Sequence, residues 1–92
     1  MICIAGCLNP AIYRARGTVA SVRAVDGERV EVCLEGAVKA AGSTYGKSPS
    51  DGRICMDGIA EPPALPNIGD CVVLQHQGEG SVMKIEQADE CP

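Results

Sequence analysis

Thr18-Val-Ala-Ser-Val-Arg-Ala-Val25, Asp26-Gly27, Glu28-Arg-Val-Glu-Val-Cys-Leu34 is the stretch whose reading decides the fold. Two β-rich runs flank an Asp-Gly pair, and both central positions of a type I′ turn need positive φ, so the pair predicts a tight hairpin. Side chains alternate across a strand, which puts Val30, Val32 and Leu34 on one face and Glu31, Cys33 and Glu35 on the other. One face is core and the other is wet.

Working outward, a second hairpin is expected from Gly69-Asp70-Cys71-Val-Val-Leu-Gln-His76, a Gln77-Gly78-Glu79-Gly80 turn and Ser81-Val-Met-Lys-Ile-Glu86. Between the hairpins, residues 36–67 read as irregular, with a short strand near Arg53-Ile54-Cys55-Met56 separating two loops. Loops of that length in a small domain are functional or disordered, which makes them candidate contact arms. From them Tyr45, Lys47, Pro62, Pro63 and Leu65 are taken as partner-contact candidates. The run Glu61-Pro62-Pro63-Ala64-Leu65-Pro66 favours an extended conformation, as a stiff linker or as a segment lying in a partner's groove. Ile2-Cys3-Ile4 reads as a short strand ended by Asn9-Pro10, and Ala11 to Arg16 as a turn of helix or an extended lead-in. The acidic tail from Gln87 to Pro92 reads as loose.

Four or five short strands with regular turn signals and no amphipathic helix predict an all-β chain: one small barrel domain, residues 1–92, OB or SH3-like, with long connecting loops. An open β-sandwich fragment completed by neighbouring chains is the alternative. Ninety-two residues hold one core, and with no Phe, no Trp and two Tyr that core is thin. A net charge of -4 and scattered Lys and Arg argue against a nucleic-acid or anionic-membrane surface. Of the basic residues, Arg14, Arg16 and Arg23 lie near one another, which a solvated strand face explains as well as a phosphate site does. No apolar run approaches the ~20 residues of a membrane span, and Met1 to Leu8 is too short for a signal segment, so the chain reads as non-secreted.

Six cysteines suit a disulfide framework, but Cys33, Cys55 and Cys71 each fall within a strand-like run, and the favoured reading is reduced, half-buried thiols. Cys3 and Cys7 have spacing that could offer two thiolates to a metal; the other ligands are missing nearby, and no metal or cofactor is expected. His76 is the single histidine and reads as a strand-end residue, since Cys71 five positions earlier would face the opposite side. Gly46-Lys47-Ser48 lacks the glycine of a phosphate loop, position 41 being alanine. The expectation is a non-enzymatic chain.

Arg16-Gly17-Thr18-Val19, Val25-Asp26-Gly27-Glu28-Arg29-Val30-Glu31-Val32 and Pro66-Asn67-Ile68-Gly69-Asp70-Cys71-Val72-Val73-Leu74 resemble the OB-type barrels of bacteriophage baseplate and tail-hub proteins. That resemblance covers about half the chain. It implies a structural part of a virion, assembled in the host cytoplasm and held by other protein subunits in a homo- or hetero-oligomer. A second resemblance, carried by Gly69 to Leu74 and the acidic Glu86 to Glu90, is to the small hydrogenase-maturation chaperones. It implies a cytoplasmic, cysteine-dependent metallochaperone. Those proteins carry their functional cysteine directly after the initiator Met, where this chain has Ile2 and then Cys3, and the proline of their motif is replaced by Gly6.

Overall fold

The long first hairpin forms, and it is longer than its sequence signal. A computed structural model describes residues 11–44, 46–61, 65–77 and 82–91. In it β1 spans Ile12–Asp26 and β2 spans Arg29–Lys39. The Ala11 to Arg16 stretch is therefore strand, and its alternation of Tyr13, Ala15, Gly17 and Val19 points those residues inward. The turn between the strands is Gly27-Glu28, one residue later than expected. Positive φ occurs at Gly27 (42°) and at no non-glycine residue, so the two-position requirement of a type I′ turn is not met.

The remaining strands are β3 (Ile54–Glu61), β4 (Cys71–Gln77) and β5 (Val82–Gln87). β3 is twice the length of the strand expected there. The hairpin of β4 and β5 pairs antiparallel as expected, from Val72 with Gln87 to His76 with Met83. Its turn lies outside the described residues, as does the expected strand at Ile2 to Ile4. The strands close in the order β1-β2-β3-β5-β4, with β1 returning to β4 and a parallel seam between β3 and β5. This is the OB-type arrangement rather than the SH3-like one, and closure rules out the open sandwich fragment.

Closure depends on β1 serving two neighbours. Its first half pairs with β4 from Ile12 with Gln77 to Thr18 with Cys71, and its length from Ala15 to Asp26 pairs with β2. A straight strand cannot do both, and β-bulges supply the bend. Two residues of β2, Gly36 and Ala37, oppose Gly17, while Ala20 and Val25 are extra on the β1 side. At the first bend the strands approach so closely that a Cβ on Gly17 would lie 3.0 Å from the Glu35 carbonyl oxygen and 3.0 Å from Leu34 Cβ. Glycine at 17 is a packing requirement.

The core inside the barrel consists of Ala15, Val19, Val32, Leu34, Ala37, Met56, Val72, Leu74, Met83 and Ile85. None of these residues carries a ring. Met56 and Met83 fill the space instead, which suits an unbranched side chain that can follow an irregular gap. Tyr13 packs against the core from the rim.

The cysteines overturn the reduced-thiol expectation. Cys33 on β2 stands directly opposite Cys55 on β3, with Cα atoms 4.0 Å apart, and the two form a disulfide. Cys71 at the start of β4 is bonded to Cys91, Cα atoms 5.6 Å apart. A strand-like context placed both partners of the first pair on outward positions of one ladder, so the feature that suggested buried thiols is the one that aligns them. Cys33, although on the outward side, is only 3% exposed. The second disulfide corrects the reading of a loose tail: Cys91 is fastened to β4, and Ala88 N–H donates to the Cys71 carbonyl at 3.0 Å.

Candidate functional site

β5 is the shortest of the described strands, and its described pairing with β3 covers only the end of that strand. The parallel pairing begins at Ile59 with Val82 and ends at Glu61 with Lys84. Among the described residues, Ile54 to Gly58 of β3 pair with β2 alone and lie toward the end of β4 and the beginning of β1. A cleft of about 190 Å³ lies there, lined by Tyr13, Ile54, Cys55, Met56, Asp57 and His76. Ile54 and Met56 supply its apolar floor as inward residues of β3, and Cys55 and Asp57 its outer lip.

Tyr13 is held rigidly at one wall. Its hydroxyl donates to the Lys47 carbonyl at 2.9 Å, and Gly46 runs across its ring so closely that a Cβ there would lie 2.5 Å from Cδ1. Residues 40–44 continue the β1 edge: Ala40 N–H donates to the Arg14 carbonyl and Thr44 N–H to the Ile12 carbonyl, each at 2.8 Å. Ser43 Oγ both accepts from Arg14 N–H and donates to its carbonyl. The sequence marks this loop as a candidate contact arm, functional or disordered. Its described residues are already ordered by hydrogen bonds to β1.

His76 is half-buried on β4, opposite Tyr13 on one side and Met83 on the other. Asp57 stands across the cleft on β3, its carboxylate hydrogen-bonded to Arg29. That guanidinium holds the Asp57 carboxyl below its usual 3.8; its own backbone N–H and the His76 charge act the same way, against a partial opposing effect of desolvation. The exposed Arg29–Asp57 pair sits beside a second, Arg23 with Glu31 at 2.9 Å. Arg14 pairs with Glu86 at 3.0 Å, so two of the three neighbouring arginines in the sequence are matched to carboxylates.

Chemically the cleft offers a hydroxyl, an imidazole and a carboxylate around an apolar floor. Cys55 at its lip is committed to a disulfide, as is Cys71. Glu31, Cys33 and Cys55 bring their donor atoms within 4.8 Å of one another. In the disulfide the two sulfurs carry no thiolate for a metal to bind, and the Glu31 carboxylate is held by Arg23.

Comparison with known protein families, curated proteins and solved structures finds no match. Fold and site therefore rest on the chain itself. Of the predicted contact residues, Lys47 is exposed beside Tyr13, whereas Leu65, 45% exposed, lies in the segment before β4 that meets Val19 through Gly69 and Asp70. The structure does not bring them together: Tyr13 and Thr18, which mark the two regions, pair with opposite ends of β4. Tyr45, Pro62 and Pro63 lie outside the described residues, as do Cys3 and Cys7. Ile68, 71% exposed, and Ile59 and Val82, which pair with each other on the β3–β5 seam, were missed as exposed apolar residues. Tyr13 was missed too, although a ring in a chain with only two is itself a signal.

Proposed function

We propose that this chain is a non-enzymatic assembly module, a disulfide-stapled OB-type barrel that docks to other protein subunits as part of a bacteriophage particle. The observation that carries the reading is apolar surface on a rigid, closed frame. Ile59 and Val82 stand side by side on the outer face, 37% and 41% exposed, while Leu65 and Ile68 project from the segment before β4. Single exposed apolar residues are ordinary, but adjacent ones on a small barrel suit a contact with another subunit.

The two disulfides weigh in the same direction. Such bonds persist outside reducing compartments, at particle and cell surfaces among other places, which suits a virion component. A cytoplasmic metallochaperone working through free thiols fits them less well. Among the described residues no helix is long and apolar enough to cross a membrane.

Native mass spectrometry of the chain, purified without reductant or chelator, tests the reading. A defined oligomer free of metal, with a mass deficit of two hydrogens per disulfide, is the expected result. A monomer carrying stoichiometric nickel, iron or zinc, lost on Cys3→Ala, overturns it in favour of the metallochaperone.

A further inference from the structure

The outer face of the β2–β3 ladder carries chemically active side chains at adjacent positions. Residues two apart on a strand share a face, so Glu31 lies beside Cys33 on β2 and Asp57 beside Cys55 on β3. Register sets Cys33 opposite Cys55 and Glu31 opposite Asp57. The two sulfur atoms and a carboxylate oxygen of Glu31 lie within 4.8 Å of one another. Arg23 holds that carboxylate through one oxygen: its Nε and Nη2 both donate to Oε1, at 3.2 and 2.9 Å. Among the described residues no hydrogen bond takes Oε2. The Glu31 head is thus oriented with one oxygen in reserve.

We propose that in the reduced chain Glu31, Cys33 and Cys55 bind one Zn²⁺ ion, so that the cysteine pair is a staple when oxidised and a pair of metal ligands when reduced. Thiolate and carboxylate are both zinc donors, the thiolates select a soft ion over calcium or magnesium, and three protein ligands leave the fourth tetrahedral place to water. Cys55 is exposed and Glu31 partly so, which gives the ion and that water a way in. Zinc at ~2.3 Å from each sulfur holds the sulfurs about 3.8 Å apart, close to the separation of the Cβ atoms that carry them. Rotation about the Cα–Cβ bonds therefore opens the pair without moving the ladder. Arg23 and Arg29 are already committed to Glu31 and Asp57, and a divalent cation cancels the two charges that the thiolates add.

The electrons come from a dithiol. One of its thiolates attacks the exposed Cys55 sulfur, forming a mixed disulfide and releasing Cys33 as a thiolate. Its second thiol then displaces Cys55 and closes the reductant's own disulfide. The protein gains two electrons and two protons, the dithiol loses two of each, and zinc binding expels both protons from the new thiols. The site does not depend on the docking role proposed above.

The test reduces the full chain with a dithiol, removes the reductant under argon, and adds one equivalent of Zn²⁺ or none before alkylation with iodoacetamide. Peptide mass spectrometry then reads the rate at each cysteine. Zinc should slow alkylation of Cys33 and Cys55 together by at least ~10-fold, because a metal-bound thiolate is not free to attack. Glu31→Gln should weaken zinc at least ~10-fold, since losing even a partner of a ligand costs about that much. Glu35→Gln, the same charge change on the other side of Cys33, should leave protection unchanged. By native mass spectrometry the zinc count of the reduced chain should fall by one when Cys33→Ser and Cys55→Ser are combined. Protection confined to other cysteines, protection that survives Glu31→Gln, or a zinc count that the double variant leaves unchanged overturns the proposal. Should the reduced chain unfold, added zinc is expected to restore its dispersed amide NMR spectrum, and failure to do so overturns it too.

Discussion

Replacing Cys33 and Cys55 together by alanine should remove about 3 kcal/mol of stability. The two residues are 22 apart in sequence, and closing a loop of that size restricts the unfolded chain by about 11 cal/mol/K, or roughly 3.4 kcal/mol at 25 °C. A double variant is the right perturbation, because a single one leaves a free thiol at the partner position. A domain of this length has about 5–14 kcal/mol in total, so the loss is a quarter to a half or more of it. Equilibrium urea unfolding of the oxidised chain and the variant measures the difference. The slope of free energy against urea should steepen, since the unfolded variant is less compact and exposes more surface. The melting temperature should fall by roughly 14–27 °C. A loss below about 1 kcal/mol with unchanged slope would refute the reasoning, because it would mean that the bond does not constrain the unfolded state.

Further outcomes follow from local geometry. Gly17→Ala should cost about 1–3 kcal/mol in the same urea assay, since its Cβ meets Glu35 backbone, Leu34 and Ala37 with no flexible side-chain end to yield. The Asp57 carboxyl should titrate below 3.8 by NMR and move back toward that value in Arg29→Ala. Because its folded value is depressed, the stabilisation it brings is present above the unfolded value and fades as pH falls through the folded one. Tyr13→Phe deletes the hydrogen bond to the Lys47 carbonyl, and should release residues 46–48 to faster proteolysis while costing about 0.5–1 kcal/mol in stability.

Much of the barrel was legible in the sequence because each strand carries its own alternation. Val30, Val32 and Leu34 announce an inward face without reference to anything distant, and so do the residues of the β4–β5 hairpin. The closure was not legible in detail. It depends on bulges opposite Gly17 and at Ala20 and Val25, and on a parallel seam joining segments more than twenty residues apart, neither of which leaves a local pattern. The pairing of cysteines was illegible for a related reason: spacing does not determine connectivity, and Cys33 in a β-rich run looks like a small apolar residue until its neighbour across the ladder is known. The cleft escaped because no single segment carries it. His76, Tyr13 and Asp57 come from three strands, and only the closure of the barrel brings them to one place.

The two disulfides among the described residues also tie parts of the chain into covalent rings. One runs from Cys33 to Cys55 and takes in the second half of β2 with the loop that follows; the other runs from Cys71 to Cys91 and takes in all of β4 and β5. Of the five strands, β1 alone gives no residue to either ring. Pulled from its ends in a force spectrometer, the oxidised molecule would therefore pay out β1, the start of β2 and most of β3, while its extension stays capped by residues that the rings hold back. Reduction would restore the missing length, and the step between the two contours would read the bonding of the cysteines directly from a single molecule.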